Sequence, residues 1–253
     1  MQYNNQVNFF MVHFDNTRNK KYKILSEVFE KSIKNKMPNA NIINKYLNSK
    51  ELPKLKNISK SHRYYISYKC NTLKLKYWND YVNSNNTNTV LIDCDMLLRN
   101  PIDSIFNMDF DIGLTVRNKT FDTLNGGVIF IKKPNDTIKK FFNRWYELNN
   151  YLLENPKELE YYSKKYLQGI NQSSLCLLLE NEEQNYNIKY FSCEKWNSCQ
   201  DSWKKIYRSN SNLVHIKSNL RREIFKIYNR KIKIRQVEKK YLQQIIKEWF
   251  TYV

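Results

Sequence analysis

TNTVLIDCDMLLRNPI, residues 87–102, is the segment from which the rest of the chain is best approached. Val90, Leu91 and Ile92 form a short unbroken apolar run, the mark of a strand buried on both faces. The run ends in two aspartates, Asp93 and Asp95, with Cys94 between them. Successive side chains of an extended chain point to opposite faces, so this spacing sets both carboxylates on one side. Like charges so close repel each other, and a bound divalent cation removes that cost. Mg²⁺ and Mn²⁺ commonly join a few carboxylates to substrate phosphates. The same spacing also suits a solvated strand-to-loop turn, and a bare pair of this kind is common by chance. Pro101 fits the opening of a short helical turn.

Upstream, VNFFMVHF (7–14) is apolar and β-prone and reads as a first strand. Leu25, Phe29 and Ile33 then recur every fourth residue, as on one face of a helix. Pro38 closes that unit, and ANIINKYL contains a second short strand. Residues 62–82 form a basic amphipathic helix with Leu73, Tyr77 and Tyr81 along one face. Downstream, 110–116 and 126–131 are strand candidates, and 136–152 carry a helical pattern. Pro156 falls in a polar break, and a further helix starts at 171–172. Residues 186–191 and 212–216 are late strands. Strands alternating with helices define a layered α/β domain. We expect one domain over residues 1–234 and a C-terminal amphipathic helix over 235–253. Val237, Tyr241, Leu242, Ile245, Ile246 and Trp249 give that helix an apolar stripe. Such a stripe packs on the domain or, with lysines beside it, lies on an anionic membrane surface.

The chain has 253 residues, 41% of them hydrophobic, which supports a substantial core. Four glycines and five prolines exclude a collagen-like or Gly/Pro-rich disordered chain. A formal charge of +19 excludes an acidic solvating protein and favours anionic ligands. Asn, Lys, Ile and Tyr recur even in loops such as NSNNTNT, so part of that charge is compositional background. No run approaches the ~20 apolar residues of a membrane span. The N-terminal segment has neither basic start nor cleavage site, and a cytoplasmic location is expected. Five cysteines without a CxxC pair point to reduced thiols. Cys193, Cys199 and His215 make only a poor zinc set.

Taken in order, VLIDCDMLLRNPI, DIGLTVR, LNGGVIFIKK, GINQSSL and NLVHIKSNLR resemble the landmarks of nucleotide-sugar-dependent glycosyltransferases of the GT-A fold. The resemblance is to the retaining, glycogenin-like group and its small microbial or viral relatives, and it spans roughly residues 5–222. It implies an α/β/α sandwich with a mostly parallel mixed sheet. It also implies transfer of a hexose from a UDP-sugar to a hydroxyl acceptor, which could be a glycan, a protein or a small molecule. Asp93 and Asp95 match the motif that holds Mn²⁺ (or Mg²⁺) and, through it, the donor diphosphate. His215 matches a late histidine that supplies another metal ligand, and Lys217 a nearby phosphate-binding lysine. The family pattern continues with a glycine and a more distant lysine. Here Ser218 and Arg221 follow instead, and Arg221 becomes a further phosphate candidate.

The resemblance places Asn125, Gly126 and Gly127 along the transferred-sugar and acceptor pocket, with Asp122 beside them. Asn125 both donates and accepts hydrogen bonds, as sugar hydroxyls require, and glycines permit close backbone approach. A hairpin or bulge would also explain the two glycines. Asn171-Gln172 resembles an Asp-Gln pair at a helix start. An amide positions a hydroxyl but cannot act as a carboxylate nucleophile, and Asn171 could equally be a helix N-cap. Front-face transfer assisted by the leaving phosphate is the usual proposal for this group and needs no such nucleophile. His13, Phe14 and Asp15 lie where the donor base would meet the first βα loop, and Phe14 is also a core candidate. Arg63, Lys69 and Lys74 precede the paired aspartates, with Lys74 nearest in the chain. Competing readings are a nucleic-acid-binding protein, favoured by charge and tyrosines but lacking any compact recognition motif, and a catalytically silent relative.

Overall fold

A computed structural model of the chain describes residues 6–14, 21–117, 123–166 and 168–253. Its centre is a six-stranded sheet in the order β2-β1-β3-β6-β5-β7. The strands are β1 (Asn8–Phe14), β2 (Asn41–Leu47), β3 (Thr89–Ile92), β5 (Ile112–Val116), β6 (Leu124–Ile131) and β7 (Ile188–Ser192). β6 runs antiparallel to both neighbours, and the other pairings are parallel.

Side-chain alternation explains the layering. Phe9 and Met11 of β1 enter one core cluster, while Phe10 and Val12 enter another. β3 divides in the same way, Val90 and Ile92 against Leu91, and so does β6, Val128 and Phe130 against Ile129 and Ile131. A sheet apolar on both faces needs helices on both. α1 (Lys21–Lys36) covers the first face with Phe29 and Ile33. The second is covered by α2 (Tyr65–Ser84), α3 (Asp136–Glu154), α4 (Pro156–Tyr166) and α5 (Ile170–Glu182). The result is the expected α/β/α sandwich.

A second, two-stranded sheet pairs β4 (Met96–Leu98) with β8 (Leu213–His215) antiparallel. Met96 lies opposite His215, which brings the late histidine beside the paired aspartates. One face of this ribbon joins the first core cluster. Its other face, Leu97 and Val214, meets Leu25 and Val28 of α1, together with α7 (Ser218–Tyr228) and α8 (Lys240–Phe250).

Several elements differ from expectation. Pro156 does not lie in a break but opens α4, because the first helical position needs no amide donor. α2 begins at Tyr65 rather than residue 62, after a tight turn closed by Tyr65 N–H donating to His62 O. The last helix begins at Lys240 rather than 235, because Ile234–Gln236 form a 3-10 turn that redirects the chain. β4 and α7 had no counterpart in the sequence reading.

The apolar stripe of the C-terminal segment faces protein: Val237, Leu242, Ile245, Ile246 and Trp249 are buried in the third cluster. It is therefore not presented to a membrane surface. Among the described residues no helix is long and apolar enough to cross a membrane. Arg99, just after β4, fixes α8 by donating from Nε to both Glu248 oxygens at 2.9 and 3.0 Å. Trp249→Ala is expected to lower the unfolding free energy by about 3–5 kcal/mol, the usual cost of deleting a buried aromatic. Exposed Tyr228→Ala should change it by less than ~0.5 kcal/mol; urea titration followed by circular dichroism measures both.

Candidate metal and donor site

β3 ends at Ile92, and Asp93–Cys94–Asp95 bridge it to β4. The Asp93 amide donates to Gly127 O at 2.9 Å, and Ile216 N–H donates to Asp95 O at 2.7 Å. These bonds hold the bridge between β6 and the end of β8. Cys94 points into the core, where burial pushes its thiol well above the usual range. The two carboxylates face the opposite way, as the alternation requires.

Each carboxylate divides its oxygens between two duties. Asp93 Oδ1 accepts from Lys74 Nζ at 2.8 Å, and its Oδ2 stands 3.7 Å from His215 Nε2. Asp95 Oδ2 accepts from Arg221 at 3.2 Å, and its Oδ1 stands 3.3 Å from the same Nε2. The ligand atoms of Asp93, Asp95 and His215 all lie within 4.8 Å of one another. Burial would raise the Asp95 carboxyl, but His215 and Arg221 outweigh it and hold the group below the ordinary carboxylate range.

The imidazole is oriented by a residue that sequence reasoning missed. Asn197, fully buried on the segment after β7, donates from Nδ2 to Asn125 O at 3.1 Å and to Thr115 Oγ1 at 2.9 Å. A carbonyl only accepts, so the amide orientation is fixed and its Oδ1 faces the histidine. His215 Nδ1–H therefore donates to Asn197 Oδ1 at 3.1 Å, which directs Nε2 at the carboxylate oxygens. Protonated, Nε2 compensates Asp95; bare, it and the two carboxylates offer lone pairs that converge on one point and call for a cation between them. The bare backbone of Gly127 backs onto this group: a Cβ there would lie 2.8 Å from His215 Cε1 and 3.1 Å from Asp93 Oδ2. The donor set and its spacing fit a divalent cation.

A small polar cavity of ≈ 180 Å³ opens beside these groups. Asp93, His215, Lys74, Lys217, Asn125, Gly126, Gly127, Asn171 and Gln172 line it, so most of the residues singled out from sequence meet at one place. Asn71, Trp78, Trp145 and Gly169 also line it and were not foreseen. Lys74 Nζ lies 4.3 Å over the Trp78 ring. Gly169, not Asn171, is the N-cap of α5. Asn171 instead donates from Nδ2 to Asn71 O at 2.8 Å, while its Oδ1 has no partner among the described residues although the residue is only 8% exposed. Gln172 is more committed, its Nε2 donating to Leu124 O and to Gln168 Oε1 at 2.7 and 2.6 Å. The Lys217 amine has no ion-pair partner among the described residues. Arg221 is engaged on both sides, by Asp95 and by Tyr22 OH at 2.9 Å.

His13 lies outside this cavity, buried near the end of β1 against the Tyr46 ring. Met11 pairs with Ile92, so β1 ends on the same edge of the sheet as Asp93. Phe14 closes that strand, while Asp15 and Asp122 fall outside the described residues. The poor zinc set is not assembled: the ligand group that converges on His215 among the described residues is Asp93 and Asp95, without Cys193 or Cys199. Ser218 adopts φ 47, in the left-handed region that favours glycine.

No family model and no curated protein sequence matches this chain. Solved structures do. The molecule has the GT-A glycosyltransferase fold. A glycosyltransferase involved in glycosylating the major capsid of PBCV-1 aligns over 90% of this chain and 100% of its own, at TM-score 0.55 and 10% identity. The galactosyltransferase LgtC, in complex with donor and acceptor sugar analogues, aligns over 96% and 94%, at TM-score 0.52 and 13% identity. Mouse xyloside xylosyltransferase 1 aligns over 85% and 98%, at TM-score 0.50 and 12% identity.

Two substitutions test this geometry. Gly127→Ala should weaken calorimetrically measured Mn²⁺ binding in the presence of UDP by at least about tenfold, as loss of ligand orientation does. Ser218→Val should cost about 1–2 kcal/mol of stability, because a β-branched side chain tolerates left-handed backbone less well than serine does. Ser218→Gly should hold or raise the melting temperature. A lower value for the glycine variant would show that the bend is unstrained.

Proposed function

We propose that the chain is a metal-dependent glycosyltransferase that moves a hexose from a UDP-sugar to a hydroxyl acceptor with retention of anomeric configuration. One observation carries this reading. At the carboxyl ends of the sheet strands, where open α/β folds bind ligands, two carboxylates and an imidazole converge beside a cavity lined by amides and lysines.

Asp93, Asp95 and His215 would hold the cation, Mn²⁺ being suited to a mixed oxygen and nitrogen set. When bound, such an ion supplies positive charge to the oxygens of the diphosphate. Lys74 and Arg221 neutralise the outward carboxylate oxygens and keep the inward ones aimed. Lys217, at the start of α7, has no ion-pair partner among the described residues, and its ammonium and the helix N-terminus would face the departing phosphate. The bond between the anomeric carbon and the phosphate oxygen breaks, and its electron pair leaves with UDP. The acceptor hydroxyl forms the new C–O bond on the same face and gives its proton to the departing phosphate oxygen. Asn171 Oδ1 is available to accept from a substrate hydroxyl, and Gln172 lies beside it. Asp93 is the sole carboxylate among the described cavity residues, and Lys74 already engages it. This supports the front-face route over a covalent intermediate. Asp122 would border the sugar, and His13, Phe14 and Asp15 the base.

A panel of UDP-sugars with Mn²⁺, read by UDP release, tests the assignment. One donor should turn over, Asp95→Asn should abolish turnover, and Lys217→Ala should lower kcat by about 10²-fold, as loss of a group stabilising developing charge does. Proton NMR of the first product should show the donor's α configuration. A β-linked product would refute retention, and absence of turnover with every donor would refute the transferase reading.

A further inference from the structure

A second and larger concavity, ≈ 630 Å³, lies between the segment before α2 and the α4 helix. Its upper wall carries three rings. His62 and Tyr68 stack with centroids 5.5 Å apart and 27° between planes, and Tyr64 tilts beside them, 46% exposed. Ile58 and Leu159 add apolar surface, and Asn57, Ser59, Ser67 and Gln168 add neutral donors and acceptors.

The groove differs from the rest of this molecule in charge. The chain carries +19, yet the described lining residues include one lysine and one carboxylate, with the Arg63 guanidinium 5.1 Å over the Tyr64 ring at the rim. Those two, Lys164 and Glu160, pair with each other at 2.7 Å. A concavity lined by Lys21, Arg221, Arg222, Lys226 and Lys231 on the other side of Asp95 has the opposite character. The exposed rings of His62 and Tyr64, with hydroxyls, amides and a lysine and carboxylate that pair with each other, match a neutral ligand that has both C–H faces and hydroxyl edges. A saccharide has that chemistry.

The groove also adjoins the donor cavity. Gly169 lines both. Its φ of -76 and ψ of 168 are open to any residue, so backbone conformation does not call for glycine there. A Cβ at Gly169 would meet nothing within 4 Å, which means that open space lies over the backbone where the two cavities join. Gln168 lines the groove and accepts from Gln172 of the donor cavity, linking the two walls.

We infer that this groove is the acceptor subsite and that it takes a neutral oligosaccharide. The sugar ring next to the acceptor residue lies on His62 and Tyr64, which buried Tyr68 backs, and the terminal hydroxyl passes over Gly169 toward Asn171. The inference rests on the transferase reading and adds to it the acceptor's chemical class.

Saturation-transfer NMR on the full chain, with maltotriose, cellotriose and N-acetyllactosamine as probes, tests it without turnover. A short serine-containing peptide serves as the competing probe. At least one saccharide should bind. Tyr64→Ala should weaken that binding by about tenfold, as loss of one stacked ring does. Gly169→Leu, which adds bulk where the two cavities meet, should weaken transfer to the saccharide more than it weakens UDP binding. Tyr228→Ala, exposed and outside both cavities, should leave transfer close to that of the unaltered chain. Binding of the peptide alone, of no saccharide, or of a saccharide indifferent to Tyr64→Ala would overturn the proposal. So would transfer by the Leu variant equal to that of the unaltered chain. UDP binding and slow hydrolysis of the UDP-sugar by water, followed in the same samples, report on the donor site. Their loss in the unaltered chain would count against the transferase reading, whereas the saccharide arm judges the groove.

Discussion

Two negative charges separated by one residue, at the end of a strand buried on both faces, set the terms for the rest of the molecule. Asp93 and Asp95 cannot stand together without compensation. The compensating groups come from three elements: Lys74 from α2, His215 from β8 and Arg221 from α7. Each carboxylate thereby fixes one oxygen on a permanent cation and leaves the other directed at Nε2 of the histidine. The β4–β8 ribbon, the bare backbone of Gly127 and the buried Asn197 all serve that convergence. Removing any of them would leave the aspartates in place but without a common focus.

Much of the fold was legible because strands and helices write their periods into the sequence. Val90–Ile92, the alternation in β1 and the fourfold spacing of Leu25, Phe29 and Ile33 each mark an element that the structure contains. α4 was not legible: of PKELEYYSKKY only Leu159 and Tyr166 are buried, so it carries little periodic signal, and its proline resembled a breaker. β4 is three residues long and owes its existence to a partner more than a hundred positions away. Short strands paired at such range leave no local trace.

The candidate site was legible where charge and glycine gave it away, and illegible where neutral side chains do the positioning. Asp93, Asp95, Gly127 and His215 were visible from residue type, spacing and resemblance. Asn197, Trp78 and Asn71 were not, because buried amides and aromatics are too common to signal a role until their partners are known. Asn171 shows the limit of analogy. It occupies an acidic position of the resembling family and could have been a cap, yet the cap is Gly169 and the amide oxygen is left without a partner at the cavity wall.

The ribbon that carries His215 also orders events in time. Every strand of the main sheet has been synthesised by Ser192, whereas the third convergent group arrives at residue 215 and the helices that cover its ribbon end at Phe250. A nascent chain can thus complete the larger sheet while its two aspartates still face solvent. Closing the ribbon brings together residues separated by more than a hundred positions, a non-local step that pays its loop entropy before any contact rewards it. The convergence of Asp93, Asp95 and His215 is accordingly a late product of folding, and its formation reports that the C-terminal layer has docked.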